Sequence, residues 1–177
     1  MTSKPTLATT WLDGCSGCHM SFLDMDERLL EIAAQVDIVY SPLVDFKVYP
    51  DSVDFCLVEG AVSSVDDLER IKLVRERTKT LIAFGDCAVT ANVPGMRNPI
   101  GPQPLLDRAY IENATLNKRI PLDVVPALLP MARPIHRVVT VDVFLPGCPP
   151  SADLIHGVLV DLLEGRTPDT SGARFGR

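Results

Sequence analysis

Four of the five cysteines stand in short turns rich in glycine or proline: Cys15 and Cys18 in DGCSGC, Cys87 in FGDCA and Cys148 in PGCPP. A thiolate is a soft ligand, and four at one site suit either a tetrahedral zinc ion or a cubane iron–sulfur cluster. Structural zinc commonly uses two C-x2-C knuckles, whereas here one such pair is joined by two isolated cysteines. The spacing leans toward the cluster, with zinc as the alternative. Pro149, directly after Cys148, would limit water access and remove a competing donor, as in the Cys-Pro pairs that close ferredoxin clusters. Gly14, Gly17, Gly85 and Gly147 would let backbone amides approach the sulfurs and stabilise their negative charge, although each also has a plainer use in a tight turn. Cys56, set among Phe55, Leu57 and Val58, reads instead as a small buried hydrophobe.

Other polar residues near these turns carry less. Glu59 closes an apolar run, where it could accept hydrogen bonds near a metal centre, take part in proton movement, or simply hold the following turn. His19 follows Cys18, but four cysteines already complete a site, so it is not read as a ligand. Asp86 reads as a turn or cap residue, and His136 and His156 show no metal-ligand spacing. No catalytic acid, base or nucleophile is assigned.

For cysteines so far apart to meet, the fold must gather their turns. Strands are expected over 6–12, 36–41, 53–58, 80–84 and 138–145, with helices over about 19–34, 65–78 and 151–164 between or after them. Ser63 or Ser64 with Asp66 or Asp67 can start the second helix, and Ser151 and Gly165 can bound the last. Strands alternating with helices imply right-handed crossovers, hence an α/β fold: a three-layer flavodoxin-like domain with a parallel sheet. In such a sheet the functional crevice lies beyond the carboxyl ends of the strands, so Cys15, Cys18, Cys87 and Cys148 all fall on one edge. From about 91 to 136, eight prolines break any long element and leave 105–112 as the one candidate helix. Insertions of this kind are usually functional or lie against a partner. The chain is expected to form one domain over 1–177, with a core of about 6–165 and an extended arm at 166–177.

A composition of 46% hydrophobic and 23% charged residues fits a folded soluble protein. The net charge of -6, without any run of Lys and Arg, argues against a nucleic-acid or anionic-membrane surface, and no apolar stretch is long enough for membrane insertion. The start, MTSKPTLATTWL, has neither a twin-arginine pair nor an apolar signal core, so a cytoplasmic location is expected. An odd cysteine count there argues against a disulfide framework. No Ser/Thr-rich phosphate loop follows the first strand, which disfavours FMN bound as in a flavodoxin, and no G-x-G-x-x-G offers a nicotinamide site.

In order along the chain, WLDGCSGCHMSF, VEGAVSS, FGDCAVTANVPGMRNP and FLPGCPPSAD resemble the small subunit of nickel–iron hydrogenases, over about Leu7 to Gly165. The resemblance implies that Cys15, Cys18, Cys87 and Cys148 bind one [4Fe-4S] cluster facing a Ni-Fe centre held by the hydrogenase large subunit. TANVPGMRNP and FLPGCPPSAD are most similar to the cytoplasmic NAD-reducing branch, whose diaphorase subunits carry FMN and further Fe-S clusters. The implied role is an electron relay within a hydrogen:NAD+ oxidoreductase. Periplasmic members are longer, with a twin-arginine leader and a region for two more clusters, so this stretch implies one cluster only. The corresponding subunit of respiratory complex I is similar in fold and cluster position but typically has adjacent cysteines where this chain has C-x2-C. A quinone oxidoreductase subunit is therefore the alternative within the resemblance.

Overall fold

The computed structural model describes residues 4–176. In chain order its elements are β1 (Thr6–Trp11), α1 (Gly17–Leu23), α2 (Arg28–Gln35), β2 (Asp37–Tyr40), β3 (Val53–Glu59), β4 (Val62–Ser64) and α3 (Val65–Glu76). Then follow β5 (Thr78–Phe84), α4 (Asp86–Thr90), α5 (Asn92–Gly95), α6 (Pro102–Asp107), β6 (Leu128–Arg133), β7 (Val143–Leu145) and α7 (Ala152–Leu163). Five strands form one parallel sheet in the order β2-β1-β3-β5-β7, the flavodoxin-like order anticipated from the alternation of strands and helices.

Successive side chains of a strand point to opposite faces, and each face of this sheet has its own core. Leu7, Leu57, Ile82 and Leu145 pack with Phe22, Met25, Ile32, Ile155 and Val158, beneath α1, α2 and α7. Ala8, Cys56, Val58, Leu81 and Ala83 pack with Ile71 and Val74 of α3 and with Ile135. Each fully buried Leu or Ile contributes about 1.5–3 kcal/mol. Cys56 is the buried hydrophobe its neighbours suggested, and burial pushes its thiol up to about 12.

Helix boundaries follow local chemistry. Ser64 and Asp67 form a reciprocal capping box at α3, which ends at Glu76 rather than 78. Ser151 caps α7 through the Leu154 amide, and Gly165 beyond it takes φ +69°. The helix expected over 19–34 is two helices. Between them Met25 and Asp26 donate to carbonyls three residues back, and Asp26 takes φ +51°, a left-handed conformation that Asp tolerates better than most residues. This turn lets Met25 enter the core between two acidic neighbours.

The strand expected over 138–145 shrinks to Val143–Leu145. The Asp142 carboxylate accepts from the Leu81 amide at 2.7 Å, taking the place of a ladder carbonyl, and Val138 and Val139 turn back onto Ile135. The candidate helix at 105–112 begins earlier, as α6 with Pro102 in its first turn, and passes into a π-turn at Arg108–Glu112. β4 and β6, neither of them anticipated, form a two-stranded antiparallel sheet.

Candidate metal centre

The site lies where β1, β3, β5 and β7, neighbours in the sheet, all end. After β1 the chain is tied to the β3–β4 corner: Leu12 donates to the Glu59 carbonyl at 2.8 Å, and Asp13 and Ala61 exchange backbone hydrogen bonds. Gly60 has φ +91°, and a Cβ there would meet the Leu12 carbonyl carbon and Asp13 oxygen at 2.8 Å, so the crossing requires glycine. This corner sets the position from which Cys15 projects and α1, with Cys18 and His19, begins.

Gly85 ends β5 with φ +85°, and a Cβ on it would lie 2.1 Å from the Cys18 sulfur. Backbone and thiol are thus packed with no room for any side chain. Gly17 stands close to the Cys15 sulfur, at 3.2 Å from an added Cβ, while Gly14 packs against Gly60 and Glu59. Cys87 enters through α4, and the loop carrying it is locked to the loop carrying Cys148. Asp86 donates its amide to the Gly147 carbonyl at 2.8 Å, and its carboxylate accepts from the Gly147 amide at 2.7 Å. The second carboxylate oxygen accepts from Gly176 at 2.7 Å, so the segment after α7 returns to this edge. The Gly147 amide is thereby committed to Asp86 rather than to a sulfur, and Pro149 is exposed.

Cys18 is buried, Cys87 half-buried, and Cys15 and Cys148 exposed. Burial pushes the Cys18 thiol far up from its ordinary value, and the Glu59 carboxylate, Cys87, Cys15 and Cys148 push the same way. Burial also raises Cys87, opposed by a hydrogen bond from the Val93 amide and reinforced by Cys15, Cys148 and Glu59. Asn92 Nδ2 lies 3.6 Å from the Cys148 sulfur. Cys18 and Cys87 are thus each raised in part by neighbouring cysteines, a repulsion that a bound cationic metal group would relieve. A tetrahedral zinc with Zn–S near 2.3 Å would hold its sulfurs roughly 3.8 Å apart. Among the described residues no three or more His, Cys, Asp or Glu side chains converge closely enough to hold a metal ion.

Glu59, at the end of β3, is buried beside these thiols. Its Oε1 accepts from the Cys18 amide at 3.3 Å and its Oε2 from the His19 amide at 2.9 Å. Oε2 also pairs with Nδ1 of the His19 ring, whose Nε2 lies 3.0 Å from Thr9 Oγ1. His19 is therefore no free ligand. Asn92 is the contributor that the sequence did not single out, while Asp86, read as a turn or cap residue, braces the Gly147 turn, and His19, not read as a ligand, pairs with Glu59. The usable signal was position alone, since each is within five residues of a cysteine in the chain.

Residues 15–162 match the family described as NADH ubiquinone oxidoreductase, 20 Kd subunit. The chain belongs to this family. Its curated relatives include hydrogenase subunits. It is 42% identical to the NAD-reducing hydrogenase HoxS subunit delta of Cupriavidus necator, across 94% of this chain and 82% of that one. It is 39% identical to a subunit of the F420-non-reducing hydrogenase vhu of Methanocaldococcus jannaschii, across 89% of this chain but only 55% of that longer protein. A crystal structure of an NAD+-reducing [NiFe]-hydrogenase in the H2-reduced state contains a chain that superposes with a TM-score of 0.90. The two are 40% identical over 94% of each. The parallel α/β architecture and the hydrogenase small-subunit resemblance both stand on these matches.

Proposed function

We propose that this 20 kDa-family subunit is the electron-relay small subunit of an NAD-reducing [NiFe] hydrogenase. It would hold one [4Fe-4S] cluster with Cys15, Cys18, Cys87 and Cys148, within a single domain. The observation that carries this reading is the placement of the four cysteines after β1, β5 and β7, on three separate loops at one sheet edge, with the Gly85 backbone packed directly on the Cys18 sulfur. When bound, the cluster supplies one-electron storage at a potential set by its surroundings. The chain's residues do the rest. The thiolates bind, the Val93 amide and the Asn92 side chain donate toward sulfurs, and Asp86 keeps two ligand loops in register.

Exposed Cys15 and Cys148 share their edge with exposed Trp11, Met20, Val93 and Met96, an apolar rim suited to the hydrogenase large subunit that would carry the Ni-Fe centre. Electrons would leave toward diaphorase subunits holding FMN and further Fe-S clusters, where NAD+ is reduced. No helix among the described residues is long and apolar enough to cross a membrane, and NAD-linked chemistry fits the cytoplasm. The family description names a quinone reductase subunit, but the relatives at 42% and 40% identity are named as NAD-reducing hydrogenases, which favours that branch.

The test is H2-dependent NAD+ reduction by the complex copurified with its partners. Wild type should reduce NAD+ under H2, and Cys148→Ser should assemble yet fall to background. NAD+ reduction that survives this substitution, or is absent from the intact complex, would overturn the reading.

A further inference from the structure

Glu59 is only 2% exposed and His19 only 1%, an unusual depth for a carboxylate and an imidazole. The His19 ring is held on every side. Nδ1 meets Glu59, Nε2 meets Thr9, and Thr9 in turn donates to Ser41 at 2.8 Å. Trp11 stands edge-on to the ring at 5.3 Å between centroids, and Phe84 lies tilted at 6.1 Å. A side chain fixed at both nitrogens and packed by two aromatic rings has one orientation available. That orientation presents a donor to the carboxylate which also gathers the Cys18 and His19 amides. Among the described residues, His19 is the ion-pair partner of Glu59.

We propose that His19 is a positioning residue that sets the reduction potential of the centre through Glu59, an inference that rests on the four cysteines being cluster ligands. A carboxylate in a water-poor site beside the thiols opposes the arrival of an electron, and the effect is larger there than in water. The ring contact draws charge from that carboxylate. It also keeps both oxygens turned to the Cys18 and His19 amides. Removing the ring leaves the carboxylate less compensated, and the centre becomes harder to reduce.

The experiment is an EPR-monitored redox titration of the copurified complex, with iron and sulfide measured in every sample. His19→Phe keeps the ring volume and the aromatic packing but offers no donor, and its midpoint potential should fall below wild type. Glu59→Gln should raise it. The double variant should match Glu59→Gln alone, because His19 acts through the carboxylate, and His19→Asn, whose amide can still reach Glu59, should return toward wild type. A loaded His19→Phe with the wild-type potential would overturn the assignment, as would a double variant whose shift is the sum of the two singles. If His19→Phe does not fold, His19→Leu takes its place, since it also removes the donor at Glu59. A lowered potential then supports the assignment and an unchanged one overturns it. Wild-type complex without iron would count against the ligand reading itself, which separates the two failures.

Discussion

The two ends of the parallel sheet use carboxylates in opposite ways. At the amino end, Asp54 accepts from the Thr6 amide and hydroxyl and pairs with Lys79, tying the starts of β1, β3 and β5 together at the surface. Arg75 pairs with Asp142 and reaches the carbonyls of Thr140 and Lys79 nearby. At the carboxyl end, Glu59 and Asp86 are buried and accept mainly from backbone amides of the loops that carry cysteines. Exposed ion pairs are screened and contribute about 1 kcal/mol or less. Buried amides that lose their acceptor cost about 1–3 kcal/mol each. One end therefore holds strands in register cheaply, while the other fixes the cysteine-bearing loops with contacts that water cannot replace.

Substitutions at the two ends should separate accordingly. The largest effect is expected for Cys87→Ser, which removes one of the four proposed ligands and should abolish most bound iron and sulfide. Cys56→Ala, inside β3, should leave the metal content unchanged and cost only stability. Equal metal loss in both would erase the distinction between edge and core cysteines. Next comes Asp86→Ala, which orphans the Gly147 amide and frees the Gly176 amide. It should lower stability by about 1–3 kcal/mol in denaturant unfolding, and should lower iron content as well. Loss of stability with full iron retention would show that the Cys87 and Cys148 loops need no such lock.

The smallest effect is expected at the amino end. The Lys79 ammonium, with Thr6 donors behind it, holds the Asp54 carboxyl below the usual carboxylate range. A carboxylate with a lowered folded pKa stabilises the fold above its unfolded value, near pH 4, and that contribution disappears as the pH falls through the folded value. Asp54→Asn should therefore cost under about 1 kcal/mol at neutral pH, flatten the acid limb of the stability profile, and leave iron unchanged. A change in metal content here would mean that the two ends are coupled.

Much of this architecture is legible in the sequence. β1, β3 and β5 announce themselves by apolar runs ending in turn residues, and α7 by a strict repeat between Ser151 and Gly165, because propensity and tertiary packing agree there. The break at Asp24–Glu27 was hidden, since Met25 and Ile32 keep an approximate helical period across a turn that the core imposes. Val138–Asp142 looks like strand by composition, but a side chain takes over the ladder at Asp142. β4 and β6 pair across a long separation that no local pattern encodes. At the site, the cysteines could be read from type and spacing, whereas the pairing of His19 with Glu59 depends on α1 crossing the end of β3.

The most direct test of the central claim is anaerobic iron, sulfide and zinc analysis of the subunit copurified with its partners. About four irons and four sulfides per chain beyond those of the partners, lost in Cys18→Ser, is the result expected of a cubane cluster held by these cysteines. One zinc per chain with no iron attributable to it would contradict the relay and leave a zinc-stabilised scaffold in its place.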